Sequence, residues 1–443
     1  MKETKILSVM LAALLLASTC ALSAETGIPV KTEEKVYAND LLGFNISPKS
    51  GWEGEYQLPE SSNSKLYNLA PANAIFEESK ASPFWVLSEY YDMSPSEKRL
   101  YGKIAEGVGN FDLKIEVDSI PQNDAERKNL SKICNIVYFT QPEVFYWDFN
   151  VRYALNGKPS EDGKYYLLPI YIVDGKTLHA DMQGANNTLL YPPVEEIAAA
   201  KAWVKRGICD IHEKLKSLPI QDGMTMFEKE LAVHDWLCDI LTYDGSDIFK
   251  HEFNTIHGAL VDGKVDCSGY SRTFQYIMCM LGVESIVFEG YAGQTPHAWN
   301  AVKLDGDWYQ SDVNVDGVMF IKDSLPWHCY LNRTDKYMTE NGYTKGIADS
   351  RYINPDITCT ATKYNYFVIT DSYIASDSDF INKLSARIAL ARANGEKAFE
   401  IEFDPNYGKP SEIYDKLALI DQALLINIRF LYSSRGIVFA LLD

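Results

Sequence analysis

The sequence predicts an α+β fold in which a helix packs on an antiparallel sheet. After Cys267, apolar residues recur at helical spacing until Gly282 ends the pattern. Residues 283–313 contain three runs that are rich in β-forming side chains. The dipeptide Asp305-Gly306 separates the last two runs and is a strong signal for a two-residue hairpin turn, which makes those strands antiparallel neighbours. The three predicted strands are Val283–Tyr291, His297–Leu304 and Asp307–Val313.

The length of 443 residues predicts several domains, because one hydrophobic core rarely serves a chain of this size. We expect a signal peptide at residues 1–24 and an N-terminal α+β region at residues 25–220. The core with the helix and sheet is expected at residues 221–350. A small C-terminal α/β module is expected at residues 360–443, beyond a segment rich in turn-forming residues.

The first 24 residues have the pattern of a secretory signal peptide. Lys2 and Lys5 precede an apolar run at residues 6–16, and small residues follow before Glu25. We therefore expect a secreted or cell-surface protein. Anchoring as a lipoprotein at Cys20 remains a less favoured alternative. No later segment is long and apolar enough to predict a membrane span.

The regions on either side of the core show alternating helical and strand patterns. Ser94 to Glu97 and Thr225 to Glu228 are capping boxes, each of which predicts the start of a helix. The other N-terminal elements expected are strand Asp112–Val117, helix Ala125–Thr140, a hairpin of Val144–Leu155 with Tyr165–Val173, and helix Pro193–Leu218. Those of the C-terminal module are strand Tyr364–Thr370, helix Ser378–Asn394, strand Lys397–Phe403, helix Ser411–Ile426, and strands Arg429–Tyr432 and Val438–Leu442. The module carries no catalytic pattern, so we interpret it as an accessory or partner-binding unit.

Three residues in the core have the chemistry of a thiol nucleophile with its base and orienting acid. Cys267 lies in the first turn of the predicted helix, where free backbone N–H groups and the helix dipole favour thiolate. Pairing about the hairpin turn places His297 opposite residue 314, one diagonal step from Asp312. A cysteine, a histidine and an aspartate in this arrangement predict nucleophilic catalysis.

The residue before the cysteine leaves two interpretations open. A carboxylate at Asp266 would raise the pKa of the Cys267 thiol if the two groups were close and desolvated. Asp266 would instead cap the helix if its oxygen accepted hydrogen bonds from backbone N–H groups. The cap is the favoured interpretation. The Cys267 backbone N–H is the expected first oxyanion donor, and the sequence does not identify a second one.

The same segment resembles the bacterial transglutaminase-like family of papain-like thiol enzymes. The resemblance lies in GALVDGKVDCSGYSRTFQYIMCMLG, GYAGQTPHAWNAVKLDGDWYQSDV and the preceding helix FEKELAVHDWLCDILTYD, within residues 227–316. It implies a papain-like core in which Cys267 is the nucleophile, His297 the general base and acid, and Asp312 the orienting residue. Asp266 and Ser268 depart from the Gln and Trp that flank the nucleophile in animal cross-linking transglutaminases.

The family resemblance leaves more than one function open. The family includes peptidases, deglycosylating enzymes and inactive members, so peptide cross-linking does not follow from it. We expect a thiol enzyme that transfers an acyl group from a peptide or protein carboxamide to an amine or to water. Its substrate is expected to be a peptide, a protein or a cell-wall peptide. The alternative is a catalytically idle binding or scaffolding module.

Composition excludes several other partners. The formal net charge of −19 argues against nucleic-acid binding. No cofactor is expected, and no metal site, because the chain lacks a CxxC pair and an HExxH motif.

Outside Cys20 the chain has seven cysteines, an odd number that suggests a free thiol at Cys267. The other six are expected to be reduced core residues, with three disulfides as the less favoured alternative. His328 is expected to be packed or exposed rather than to line the cleft, and Phe320–Ile321 to form a strand.

Overall fold

A computed structural model describes residues 83–442, except residues 149, 151, 156–157, 184–186, 248–249, 319–327, 347–353, 409–412 and 433–436. The predicted signal peptide, the alternative anchoring site at Cys20 and the predicted strand at Phe320–Ile321 lie outside the described residues. Within the described residues, no helix combines the length and the apolar character that crossing a membrane requires.

Three long helices organise the N-terminal part of the structure. They are α1 (Pro95–Gly109), α2 (Asp124–Thr140) and α3 (Val194–Leu215), and a 3-10 helix at Pro83–Tyr90 precedes them. The predicted capping box is present at α1. The Ser94 backbone N–H donates to Glu97 Oε2 at 2.7 Å, and the Glu97 N–H donates to Ser94 Oγ at 3.3 Å. All three helices were predicted, because their caps and apolar spacing are local features of the sequence.

Short strands connect these helices. They are β1 (Ile115–Val117), β2 (Tyr153–Leu155), β3 (Tyr165–Pro169), β4 (Tyr171–Val173), β5 (Lys176–Leu178), β6 (Asp181–Gln183) and β7 (Thr188–Leu190). Strands β1, β3 and β2 form one antiparallel sheet, while β4–β5 and β6–β7 are separate pairs. The predicted strand from Val144 to Leu155 is wrong over most of its length. Residues 144–147 fold into turns that bury Tyr146 and Trp147 completely, and the Trp147 indole donates to the Arg152 carbonyl at 2.6 Å.

The central sheet is antiparallel throughout, as predicted. Its strands are β10 (Ser285–Ala292), β11 (Thr295–Leu304), β12 (Asp307–Ser311) and β13 (Tyr343–Lys345), in the order β12-β11-β10-β13. The β11–β12 hairpin turns at Asp305 and Gly306, whose φ angles of 51° and 93° are both positive. Positive φ at both central residues is the requirement of a type I′ hairpin turn, and Gly meets it without strain.

The helix that begins at Cys267 packs on this sheet. Helix α4 (Met226–Ile240) leads into the core, and α5 (Cys267–Met280) lies against β10 and β11. A 3-10 helix at His251–Asn254, a π-helical turn at Gly258–Asp262 and the parallel pair β8 (Thr242–Tyr243) and β9 (Lys264–Val265) lie between α4 and α5. Helices α6 (Val313–Val318) and α7 (Asp335–Glu340) follow the hairpin. The predicted α+β arrangement of a cysteine helix on an antiparallel sheet is confirmed.

The C-terminal part forms a second sheet with its own smaller apolar cluster. It contains α8 (Tyr366–Ile369), β14 (Tyr373–Ile374), α9 (Asp377–Asn394), β15 (Ala398–Phe403), α10 (Ile413–Lys416), β16 (Ile428–Tyr432) and β17 (Ile437–Leu442). The strand order is β14-β15-β17-β16, with only the β14–β15 pair parallel.

Two predicted elements of this part are wrong. The strand expected at Tyr364–Thr370 is the short helix α8, because the Asn365 side chain caps it by accepting from two backbone N–H groups. The long helix expected at Ser411–Ile426 is broken into α10 and two 3-10 turns. The second of these turns begins where Asp421 caps a new N-terminus.

A buried ion pair joins the C-terminal sheet to the core. Arg333 Nη1 donates to both carboxylate oxygens of Glu402 on β15, at 3.0 and 2.9 Å. Both side chains are more than nine-tenths buried. The Arg333 guanidinium also lies over the rings of Tyr337 and Phe367. These contacts fix where the second sheet sits on the first.

We predict that Arg333→Ala lowers the free energy of unfolding by about 3–5 kcal/mol, because it leaves the Glu402 carboxylate buried without its partner. Lys336→Ala is the matched control, since Lys336 pairs with Glu340 on the surface with 83% of its side chain exposed. The control is expected to change stability by less than about 0.5 kcal/mol. Urea unfolding of both variants measures the difference, and equal effects would contradict the assigned role of the buried pair.

Candidate active site

Cys267 is the first residue of α5 and is partly exposed. Asp266 caps the helix, as the favoured interpretation predicts, because its Oδ1 accepts from the backbone N–H groups of Ser268 at 2.9 Å and Gly269 at 3.1 Å. Burial raises the pKa of Asp266 to about 7, although these capping hydrogen bonds act in the opposite direction. The Asp266 cap therefore orders the first turn of α5 beside the Cys267 thiol.

The first turn of α5 is held tightly against the preceding segment. A Cβ at Gly269 would collide with the Phe253 carbonyl and the Val265 side chain, so only glycine fits at this position. The Asp266 N–H donates to the same Phe253 carbonyl at 3.0 Å. The position of Cys267 is therefore set by the backbone on both sides of it.

His297 and Asp312 lie together on the hairpin that faces α5. The observed register pairs Leu304 with Asp307 and Asn300 with Ser311, which is the register that the sequence predicts. His297 Nε2 is 2.7 Å from Asp312 Oδ2, and both side chains are largely buried. The Trp299 ring stacks beside the imidazole at a centroid distance of 6.0 Å. The diagonal contact expected from the sequence is present.

Asp312 has two further partners that hold it in place. The Tyr343 hydroxyl donates to Asp312 Oδ2 at 2.6 Å, and the Val315 N–H donates to Oδ1 at 3.0 Å. Burial by itself raises the pKa of Asp312, but the charge and hydrogen bond of His297 outweigh it and lower the pKa below the ordinary value. The side chain is thus an ionised carboxylate. Sequence reasoning missed Tyr343, which reaches the site from the edge strand β13 and belongs to no local pattern.

The imidazole of His297 lies between the carboxylate and the thiol. Burial lowers its pKa, but the charge and hydrogen bond of Asp312, together with the hydrogen bond of Cys267, raise it to about 10. Because Nε2 is occupied by Asp312, Nδ1 is the nitrogen left for the thiol. The three predicted residues are brought together, and the imidazole hydrogen-bonds to both the thiol and the carboxylate.

The other described cysteines differ from Cys267 in their surroundings. All seven cysteines in the described residues are free thiols, and five of them are buried. Cys279 is partly exposed at the other end of α5, and burial raises its pKa to about 12. Cys267 is therefore the thiol with both access to solvent and a basic partner.

A second group of polar side chains lies apart from Cys267, His297 and Asp312. His328 is buried, and its Nε2 is 2.9 Å from Asp235 Oδ1 on α4, so the expectation that it packs is confirmed. His234 approaches the same oxygen at 2.9 Å. These three residues offer ligand atoms within 4.8 Å of one another. They are the residues, among those the structure describes, with the donor types and spacing to hold a metal ion.

Comparison with known proteins agrees with this architecture. Residues 217–313 match the family model described as the transglutaminase-like superfamily. Kyphoscoliosis peptidase from Homo sapiens is 27% identical over 131 residues, and that from Mus musculus is 25% identical. Each match covers 26% of this chain and 19% of the relative, so the chain spans about a fifth of the length of these curated relatives.

A solved crystal structure of a TGase is 17% identical, with a TM-score of 0.25, and the match covers 39% of this chain and 52% of the other. The family match at residues 217–313 contains the helix of Cys267, the strand of His297 and Asp312 itself. Residues 217–313 are therefore similar to the transglutaminase-like superfamily, and the match does not extend to the rest of the chain.

Proposed function

We propose that this protein is a cysteine peptidase or amidase that acts on peptide or protein carboxamides through Cys267, His297 and Asp312. The observation that carries the proposal is the position of the His297 imidazole, with Asp312 on Nε2 at 2.7 Å and the Cys267 thiol as its other hydrogen-bond partner. This is the order of groups that nucleophilic thiol catalysis requires.

The proposed reaction has two stages. The Cys267 thiolate attacks the carbonyl carbon, a C–S bond forms, and the carbonyl electrons move onto oxygen. The C–N bond then breaks as His297 gives its proton to the leaving nitrogen, which leaves a thioester on the enzyme. In the second stage His297 removes a proton from water as the water attacks the thioester, and the carboxylic acid product and the free thiol result. Asp312 keeps the imidazole oriented throughout.

Hydrolysis is proposed over transfer because the two curated relatives are named as peptidases. The residues that flank Cys267 also differ from the Gln and Trp of animal cross-linking enzymes. Because the sequence predicts a signal peptide, we also propose that the enzyme is secreted or lies at the cell surface. Its proposed substrates are peptides, proteins or cell-wall peptides. We further propose that the regions at 25–220 and 360–443 are accessory to the core.

Cys267→Ala is expected to reduce turnover by about 10³-fold or more, because the nucleophile is lost. Cys279→Ala is the matched control, since it removes the other partly exposed thiol of the same helix. Iodoacetamide near neutral pH should modify wild type and the control rapidly at one site, and should leave Cys267→Ala unmodified. Equal turnover of Cys267→Ala and wild type would rule out the proposed nucleophile. An unreactive Cys267 without turnover on a broad panel would favour a binding module.

Asp312→Asn is expected to lower the pKa of His297 from about 10 toward the ordinary value of about 6.5, because the charge that raises it is removed. NMR titration of the labelled imidazole measures this pKa, and His297→Gln identifies the signal among the seven histidines. A His297 midpoint near about 6.5 in wild type would contradict the ion pair.

The same pair makes stability depend on pH. The folded chain holds the His297 proton more tightly than the unfolded chain, so the pair stabilises the fold fully below about pH 6.5. This contribution is lost as the pH rises to about 10. The stability difference between wild type and Asp312→Asn should therefore shrink over that interval in urea unfolding.

The acceptor of the acyl group is tested with a glutamine-containing peptide, with and without a labelled primary amine. Hydrolysis predicts release of ammonia or cleaved peptide at a rate that the amine leaves unchanged, with label in only a minor share of the product. Incorporation of label as the main product would replace the proposed peptidase with a transglutaminase. Cys267→Ala provides the background for both measurements.

A further inference from the structure

Five polar side chains, four of them buried, form a cluster that includes Asp316 of α6. We define the polar cluster as His234 and Asp235 of α4, Asp316 of α6, His328, and Glu400 of β15. The two histidines, Asp316 and Glu400 are at most 3% exposed. The Asp235 side chain is 39% exposed and connects the cluster to solvent. The mechanism proposed above uses none of these residues.

Each imidazole of the cluster contacts one shared carboxylate and one carboxylate of its own. His234 Nδ1 and His328 Nε2 both lie 2.9 Å from Asp235 Oδ1. On their far sides, His234 Nε2 is 3.2 Å from Asp316 Oδ2, and His328 Nδ1 is 3.3 Å from Glu400 Oε2. Metal-binding histidines show this pattern, because the outer N–H donates to a carboxylate that fixes the ring and its tautomer.

The excess of carboxylates over imidazoles suits the cluster to binding a cation. Three carboxylates face two imidazoles, and no Lys or Arg is hydrogen-bonded or ion-paired to the five side chains in the part of the chain that the structure describes. Glu400 Oε1 is buried there without a hydrogen-bond partner. With neutral imidazoles the cluster would hold the two buried carboxylates of Asp316 and Glu400 beside the partly exposed one of Asp235, and buried charges are costly without compensation. Two protons or one divalent ion would each supply two positive charges.

We propose that His234 Nδ1, His328 Nε2 and the Asp235 carboxylate bind one divalent transition-metal ion, with Zn²⁺ preferred. Two imidazoles and one carboxylate are a typical zinc donor set. The donor atoms lie within 4.8 Å of one another, so bonds of about 2.0–2.2 Å require only small side-chain shifts. The exposed part of Asp235 gives the ion a route of entry and leaves a position for water. Asp316 and Glu400 orient the two rings.

The neighbouring thiol is not part of the proposed site. Cys238 Sγ is 4.0 Å from both ring nitrogens of His234, so it does not lie along the lone pair of either nitrogen. Its thiol donates instead to the Val313 carbonyl at 3.8 Å, and Sγ is not among the donor atoms that lie within 4.8 Å of one another. The expected donor set is therefore two nitrogens and one oxygen from the protein, without sulfur.

The role of this ion is structural. It would join α4 to His328, while the outer carboxylates extend the connection to β15 through Glu400 and to α6 through Asp316. The Asp316 N–H donates to the Asp312 carbonyl at 3.2 Å, so the cluster supports the same short helix that begins at the triad. Sequence spacing gave no sign of the site, because Asp235 and His328 are 93 residues apart.

The first test is metal content. The full chain, loaded with ZnSO₄ and then passed through metal-free gel filtration, is expected to keep about one zinc ion per molecule by mass spectrometry. Asp235→Asn should keep less than about a tenth of that, since the shared ligand is lost and the partly exposed position tolerates the amide. Asp239→Asn is the matched control, because it removes an exposed carboxylate one turn along the same helix and should keep the ion.

Two further measurements make the proposal falsifiable without the variants. Zinc should raise the melting temperature of wild type by a few degrees and that of Asp235→Asn by much less. Cobalt bound in place of zinc should give visible d–d bands without a thiolate charge-transfer band. Wild type that holds no zinc after loading, zinc that Asp235→Asn retains in full, or a thiolate band would each overturn the proposal.

Discussion

The register of the β11–β12 hairpin is the constraint on which the site depends. Side chains alternate between the two faces of a strand, so a slip of one residue would turn His297 away from both Asp312 and α5. The register is fixed at the turn, where Asp305 and Gly306 both adopt positive φ. Asp305 and Gly306, which take no part in the proposed reaction, thus determine whether the His297 imidazole reaches its partners. Strand β13 also contributes to the site, because the hydroxyl of its Tyr343 donates a hydrogen bond to Asp312.

The sequence predicted those parts of the fold that local features determine. Caps such as Ser94 and Thr225 identify helix starts, and the hairpin dipeptide identifies both strands and their register. These local features were sufficient to predict that Cys267, His297 and Asp312 lie close together. Elements fixed by distant contacts were not predictable in the same way. The run from Val144 has strand composition, yet burial of Trp147 and its bond to a carbonyl determine the turns seen there. Tyr343 and the polar cluster likewise depend on pairings that only the folded chain reveals.

The junction between the two sheets combines buried charge with apolar contacts, since Phe367 and Ile437 belong to the apolar core of the first sheet. Glu400 and Glu402 are two residues apart on β15 and point to the same side, and each meets a cationic or titratable partner from the core. Such contacts require exact geometry, because a displaced partner leaves a desolvated carboxylate behind. They favour one relative placement of the sheets over alternatives that apolar contacts would tolerate equally well.

The contrast between the two ends of α5 has a consequence for oxidative damage. Oxidation of cysteine to sulfenic acid follows thiolate character and solvent access, and Cys267 is a partly exposed thiol that hydrogen-bonds to an imidazole. Cys279 is held as a neutral thiol and bonds to the Ser285 carbonyl. Mild peroxide is therefore expected to modify Cys267 while the packing of the helix stays intact, and a reducing agent would return the sulfenic acid to the thiol. Oxidation of this kind would be expected at the N-terminal end of α5, where Cys267 begins the helix.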